Sequence, residues 1–372
     1  MADERLEVEL RHHLGRIDLD VRFSVGRETL ALIGASGAGK SSVLLAIAGL
    51  LRPDHGRIVG AERPLFDAEK RVDLPPEERR VGLVFQHGAL FPYLSVAQNV
   101  AFGLHPRARS KRERSERVGE ILERFAIAEL ANSRPDRISG GERQRVALAR
   151  AVATSPHELL LDEPLSALDA VTKSRVAAEL SRTLADLRLP TILVSHDLGD
   201  VAGLADRVAV MDEGRIVQSG TTAELLRSPA SGFVAAFVGT NFFSGVATRA
   251  GGVTEVTLDS GVVVASAAAA AGPVGVIVQP WDITLHDAMA GAPSAGPPSA
   301  DSGQNVLTGS VTSVAPRGGT LRVSVASLPP VVAEVSAEAP GVDGLSRGAM
   351  VAAVWLNAAT MLVPDDAAAP TE

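Results

Sequence analysis

The chain contains no cysteine. Disulfides, thiolate metal sites, iron–sulfur clusters and a cysteine nucleophile are excluded, and the composition suits a reducing compartment. An excess of positive charge is missing as well. The formal net charge is −8, which argues against a dedicated nucleic-acid binder held by a basic surface. The opening residues, MADERLEVEL, alternate charged and apolar positions and do not read as a secretory signal. The uncharged stretch between Asp259 and Asp282 is mostly Ala, Gly and Val, with Ser266 and Pro273 inside it. Ala and Gly supply little transfer energy, so this stretch does not read as a membrane span. Action at a membrane would need another chain to supply the crossing.

What is present is the balance of a folded protein. Of 372 residues, 46% are hydrophobic and 22% charged, a composition for two or three domains with a large core. The charge is uneven: residues 242–372 hold four arginines and no lysine against eleven acids. Residues 1–240 alternate strand-like and helix-like segments. Buried strands are expected at Glu28–Ile33, Val81–Phe85, Glu158–Leu161 and Thr191–Ser195, helices at Lys40–Leu51 and Lys111–Leu130, and a hairpin at Arg207–Met211 and Arg215–Gln218 around Glu213-Gly214. Such alternation implies a parallel sheet covered by helices. Past Thr240 the chain turns into short Val-rich segments, at Gly252–Leu258, Gly261–Ala265, Val274–Val278, Val306–Val314, Thr320–Val325 and Met350–Leu356. They predict a small β barrel over 241–372, made of two related halves, with a Pro/Ala/Gly/Ser-rich linker at His286–Gln304. No repeat of fixed period is visible.

Three motifs carry chemistry. Gly34-Ala35-Ser36-Gly37-Ala38-Gly39-Lys40-Ser41 follows a strand and opens a helix. Its glycines let backbone N–H groups turn toward phosphate oxygens, Lys40 reaches the β and γ phosphates, and Ser41 offers an oxygen to Mg²⁺. Leu159-Leu160-Leu161-Asp162-Glu163 is an apolar strand ending in two acids. Asp162 would hold Mg²⁺, directly or through water, and Glu163 would polarise the attacking water. Ile138-Ser139-Gly140-Gly141-Glu142 precedes a helical segment that Ser139 is placed to cap. That is a second anion-seeking helix end. One ATP has a single γ phosphate, so two such ends imply either two nucleotides or one nucleotide between two copies of the chain. Gln86 and His196 each follow a strand and could contact a metal-bound water or the γ phosphate.

In this order, Gly34–Ser41, Gln86, Ile138–Glu142, Asp162-Glu163, Asp169 and His196 resemble the ATP-binding subunit of an ABC transporter, over residues 1–240. Ile138 and Glu142 depart from that family's commonest signature. The resemblance implies an α/β P-loop NTPase domain of ABC type with a helical subdomain at about 88–155. A small all-β oligonucleotide-fold-like domain (TOBE/MOP-like) would follow at 241–372. It implies ATP and Mg²⁺ as cofactors. Glu163, His196, Gln86 and Lys40 would be catalytic, and Ser41, Gln86 and Asp162 would hold the metal. Gly34, Ala35, Ser36, Gly37, Ala38, Gly39, Lys40, Ser41, Ser42, Glu142 and Asp169 would bind the nucleotide, with Ser139, Gly140 and Gly141 supplied across a head-to-tail dimer. The implied partners are membrane-spanning permease subunits, a second copy of the chain and, indirectly, a substrate-binding protein, with no nucleic acid. The implied location is peripheral, on the cytoplasmic face of the inner membrane. The apolar cluster Leu90-Phe91-Pro92-Tyr93-Leu94 suits either a permease groove or a subdomain core. The family usually stacks an aromatic on adenine; none precedes Phe23 here, and His12 or His13 stands near that place.

The stretch from Leu74-Pro75-Pro76-Glu77-Glu78-Arg79-Arg80 to Leu90-Phe91-Pro92 resembles the molybdate importer ATPases. Gln279-Pro280-Trp281-Asp282-Ile283, Asn305-Val306-Leu307-Thr308-Gly309 and the end Val354-Trp355-Leu356-Asn357-Ala358 resemble their accessory domain. The implied cargo is molybdate or tungstate, with sulfate, polyamine, iron or sugar as alternatives and a soluble non-transport ABC ATPase as a distant one.

Overall fold

A computed structural model describes residues 5–60, 63–86, 88–104, 110–166, 168–250, 252–288, 303–339 and 342–364. The chain divides into two compact units, residues 1–222 and 223–372.

The first unit opens with β1 (Leu6–Leu14) and β2 (Ile17–Val25), a hairpin of alternating buried and exposed residues. Then come β3 (Thr29–Gly34), α1 (Lys40–Ala48), β4 (His55–Val59), β5 (Pro64–Asp67), β6 (Val72–Asp73) and β7 (Val81–Val84). The helical stretch holds α2 (Val96–Ala101), α3 (Lys111–Arg124) and α4 (Gly140–Ala153). After it run β8 (Glu158–Asp162), α5 (Ala170–Leu187), β9 (Thr191–Ser195), α6 (Leu198–Val201), β10 (Arg207–Asp212) and β11 (Arg215–Gly220). One sheet of order β6-β5-β4-β1-β2-β11-β10-β3-β9-β8-β7 joins the strands. Its β10-β3-β9-β8-β7 part is parallel. β3 and β9 are buried at every residue, as strands covered on both faces must be. The core gathers Leu30 and Leu32 of β3, Val43, Leu44 and Ile47 of α1, Leu160 of β8, and Ile192 and Val194 of β9.

The expected strands and the hairpin are found, with ends shifted by a residue or two. Two helices are shorter than their patterns predict. α1 stops at Ala48 because Gly49 takes a left-handed cap. α3 stops at Arg124, where Ala126 turns to φ 52°; residues 128–130 form a separate 3₁₀ turn.

The second unit follows α7 (Thr222–Arg227) with α8 (Gly232–Val238), β12 (Asn241–Ala250), β13 (Val253–Leu258), β14 (Val263–Ser266), β15 (Gly272–Val278) and β16 (Thr284–Asp287). It continues with β17 (Gln304–Arg317), β18 (Thr320–Ala326), β19 (Val331–Ser336), β20 (Met350–Leu356) and β21 (Met361–Pro364). Residues 289–302 of the expected linker lie outside the described residues. The pairing gives two five-stranded sheets, β14-β13-β12-β15-β21 and β16-β20-β17-β18-β19. The order β14-β13-β12-β15 repeats as β19-β18-β17-β20, which matches the expectation of two related halves. The fifth strands are exchanged: β16 follows β15 in the chain but pairs with β20, and β21 follows β20 but pairs with β15. Both sheets share one core around Val256, Val276, Val311, Val323 and Trp355. Two buried asparagines bridge the sheets in matching ways. Val332 N donates to Asn241 Oδ1 (2.7 Å) and Asn241 Nδ2 to Val332 O (2.9 Å). Ala265 N likewise donates to Asn305 Oδ1 (2.7 Å) and Asn305 Nδ2 to Ala265 O (2.9 Å).

Candidate active site

The loop after β3 turns into α1 through Gly39, at φ 95°, with no side chain capping the helix. A left-handed residue there favours glycine, and the uncapped N–H groups at the helix start are free to bind an anion. Lys40, only 6% exposed, folds back: its Nζ donates to Gly34 O (2.9 Å) and Ala35 O (2.8 Å). Burial lowers the Lys40 pKa, against the opposing pull of Glu163 and Asp162. The lysine is thus held over the loop that an anion would occupy, beside two acids.

Those acids arrive by sheet register. Val84 of β7 pairs with Leu161 of β8, and Asp162 with Val194 of β9. Residues just past the ends of three adjacent parallel strands therefore converge at the carboxyl edge, where open α/β sheets bind ligands. Ser41 Oγ donates to Asp162 Oδ1 at 3.0 Å. Burial raises the Asp162 pKa, and the Ser41 hydrogen bond works against it. Glu163 comes next, in a left-handed backbone conformation at φ 44°. Both of its carboxylate oxygens are engaged: Oε1 lies 3.2 Å from His196 Nδ1, and Oε2 accepts from Gln86 Nε2 at 2.9 Å. The structure thus brings Gln86, Asp162, Glu163, His196, Lys40 and Ser41 together at one edge of the sheet. A hydroxyl and a carboxylate side by side form an oxygen donor pair that suits a hard cation such as Mg²⁺.

Ser139 and Glu142 make a reciprocal cap on α4. Glu142 N donates to Ser139 Oγ (3.3 Å), and Ser139 N donates to Glu142 Oε2 (2.7 Å). The latter bond is the main cause of the lowered Glu142 pKa. Gly140 and Gly141 open the helix behind this cap. Asp169 caps α5, accepting from Thr172 N at 3.0 Å. Both histidines near the expected base position are held by carboxylates: His12 Nδ1 by Asp54 (3.0 Å) and His13 Nδ1 by Asp18 (2.7 Å).

Two residues outside the sequence-derived set belong to this neighbourhood. Arg150, at the far end of α4, donates to Ala89 O and Gly88 O, both at 2.8 Å, and lies 5.5 Å from the centre of the Phe91 ring. It therefore ties α4 to the segment that follows Gln86. Ser166 Oγ donates to Glu163 O at 3.0 Å. Arg150 did not stand out along the sequence because the carbonyls it serves lie some sixty residues away; Ser166 serves a carbonyl three residues back, but its contact with Gln86 needs the fold. Phe91 stacks with Phe102 (4.2 Å) and approaches Tyr93 (6.0 Å). Tyr93 and Phe102 are 68% and 61% exposed, so this aromatic cluster presents a surface.

Residues 18–166 match the family model described as ABC transporter. A molybdenum import ATP-binding protein of Paramagnetospirillum magneticum is 39% identical over 322 residues, 84% of this chain and 85% of that one. Its counterpart in Rhodospirillum rubrum is 43% identical over 224 residues, 60% of each chain. This chain thus matches less than two thirds of the Rhodospirillum protein's length. Among solved structures, cbiO1 from Clostridium perfringens, described as part of the ABC transporter complex cbiONQ, matches with a TM-score of 0.51 at 30% identity. That match covers 58% of this chain and 88% of that one.

Proposed function

Because the chain belongs to the ATP-binding subunits of ABC transporters, we propose that it hydrolyses ATP to energise import through a separate membrane subunit, with molybdate or tungstate as cargo. The observation that carries this reading is the Glu163 carboxylate held between Gln86 and His196, beside Ser41 and Asp162. Water attacks the γ phosphorus, the bond to the β–γ bridging oxygen breaks, and ADP and phosphate leave. Glu163 accepts the proton of that water; Gln86 and His196 fix its two oxygens. Lys40 and the N–H groups opening α1 bind the β and γ phosphate oxygens. Mg²⁺, held by Ser41 and Asp162 with Gln86 close by, would neutralise charge on the phosphates.

Ser139, Gly140 and Gly141 form a second anion-seeking end, which supports a head-to-tail dimer with ATP between the copies. The exposed Tyr93 and Phe102 favour the helical stretch as the permease contact. Among the described residues no helix is long and apolar enough to cross a membrane, which fits a peripheral place at the cytoplasmic face, beside permease subunits that a substrate-binding protein serves. The domains of this reading are 1–240 for ATP and 241–372 as the accessory β domain. The cargo rests on the molybdate-like segments and on the relatives named for molybdenum import.

Glu163→Gln tests the mechanism. Turnover should fall by about 10²–10⁴-fold, while ATP binding persists and a dimer accumulates in size-exclusion chromatography. Turnover at the unmodified rate would mean that Glu163 is not the base. Uptake into vesicles carrying the assembled transporter, with molybdate against sulfate, tests the cargo.

A further inference from the structure

We propose that Ser166 is a positioning residue for ATP hydrolysis, its hydroxyl holding the Glu163 main chain and the Gln86 amide in one hydrogen-bonded ring. The inference rests on the reading of Glu163 as the base.

The ring closes through four atoms. Gln86 Nε2 has two hydrogens. One goes to Glu163 Oε2 at 2.9 Å and the other points to Ser166 Oγ at 3.5 Å. The Ser166 hydroxyl accepts that contact and spends its own hydrogen on Glu163 O at 3.0 Å. Ser166 N donates to the same carbonyl at 3.2 Å. A single side chain therefore touches the main chain of the base and the amide that grips its carboxylate.

This support is placed where it is needed. Glu163 stands at φ 44°, a conformation that L residues other than Gly, Asn and Asp seldom adopt and that surrounding contacts must hold. The turn from Glu163 to Ser166 is closed twice at one carbonyl, once by the main chain and once by the hydroxyl. Leu165, Leu193 and Leu204 help line the space beside it. Without Ser166 Oγ, the Glu163 carbonyl loses one donor and the Gln86 amide loses one anchor. The carboxylate would then sample orientations away from the attacking water. The hydrogen bonds of Ser166 run to Glu163 and Gln86 and not to Lys40, Ser41 or the glycine loop, so nucleotide affinity should not depend on it.

The test uses the full chain as Ser166→Ala, Ser166→Thr and Glu163→Gln. For each, kcat and KM are measured with Mg-ATP, and the Kd with a fluorescent ATP analogue. Ser166→Ala should lose about 5- to 30-fold in kcat, with KM and Kd within about twofold, the pattern of an interaction that matters in the transition state. Ser166→Thr keeps the hydroxyl and should recover most of kcat. An unchanged kcat in Ser166→Ala overturns the proposal. So does a loss seen in KM and Kd instead of kcat, and so does a Ser166→Thr variant as slow as Ser166→Ala. If Glu163→Gln itself turns over normally, the assignment of the base fails, which is a separate result.

Discussion

Replacing Arg79 by alanine should cut the stability of the first unit by about 3–5 kcal/mol, far more than a surface arginine would. The Arg79 side chain is 1% exposed. Its guanidinium donates to Ala46 O (2.7 Å) and Ile47 O (3.0 Å), to Leu74 O through Nε (2.7 Å) and to Asp73 Oδ1 (2.9 Å). Ala46 and Ile47 lie in the last turn of α1, where carbonyls run short of helical partners; Ala46 O keeps one backbone donor, Gly49 N at 3.2 Å. Hydrogen bonds from a charged donor are worth about 1.5–3 kcal/mol each. Several of the freed carbonyls would regain water, and Asp73 is part-exposed, so the loss stays below the sum and near the ~3–5 kcal/mol typical of breaking a buried pair. Both tryptophans, Trp281 and Trp355, lie in the second unit. Tryptophan fluorescence therefore follows that unit, while far-UV circular dichroism at helical wavelengths follows mainly α1 to α5. In urea, at a slope of roughly 2–3 kcal/mol per M, the dichroism midpoint should fall by about 1–2 M. Arg79→Lys keeps the charge but not the fork, and should fall between the two. A dichroism shift worth less than about 1 kcal/mol would refute the argument that this arginine caps the phosphate-loop helix.

Two further outcomes follow from named contacts. Asn305→Ala strands the buried N–H and C=O of Ala265 and one partner of Thr360 Oγ1 (3.1 Å). The second unit should lose about 2–4 kcal/mol, read by Trp355 fluorescence; an unchanged midpoint would count against the bridging role. The His13 pKa is raised above 6.5, first by its hydrogen bond to Asp18, then by that carboxylate's charge and that of Asp54. Protonated His13 thus adds stability in full below pH 6.5, and the contribution disappears as pH rises through the raised value. An NMR titration should place the His13 midpoint above 6.5 and Asp18→Asn should bring it back; a midpoint at or below 6.5 in the unmodified protein contradicts the pairing.

The residues that could be read in advance share a property: their chemistry is local to a strand end or a helix start. β9 was visible as Thr191–Ser195 because a strand buried on both faces is one apolar run, and the loop from Gly34 to Ser41 declares itself by glycine spacing. β12, Asn241–Ala250, is harder to see because it begins only two residues after the apolar α8, across Gly239-Thr240, and runs apolar from its start. β19, Val331–Ser336, follows directly on Pro329-Pro330, and prolines weaken a strand signal. Arg150 and Arg79 gain their roles only from the fold, since each serves carbonyls of a distant segment, and Ser166 gains its role only when the parallel register brings Gln86 beside Glu163.

The exchanged fifth strands of the second unit make its halves mutually unfinished. β15 waits for β21, the last strand described, and β20 completes its edge with a strand laid down before the long linker. A nascent chain can therefore complete the second sheet once Leu356 is made, but the first, begun earlier, only when residues 361–364 have left the ribosome. Trimming those few terminal residues would open the first half, some ninety positions upstream, rather than the second.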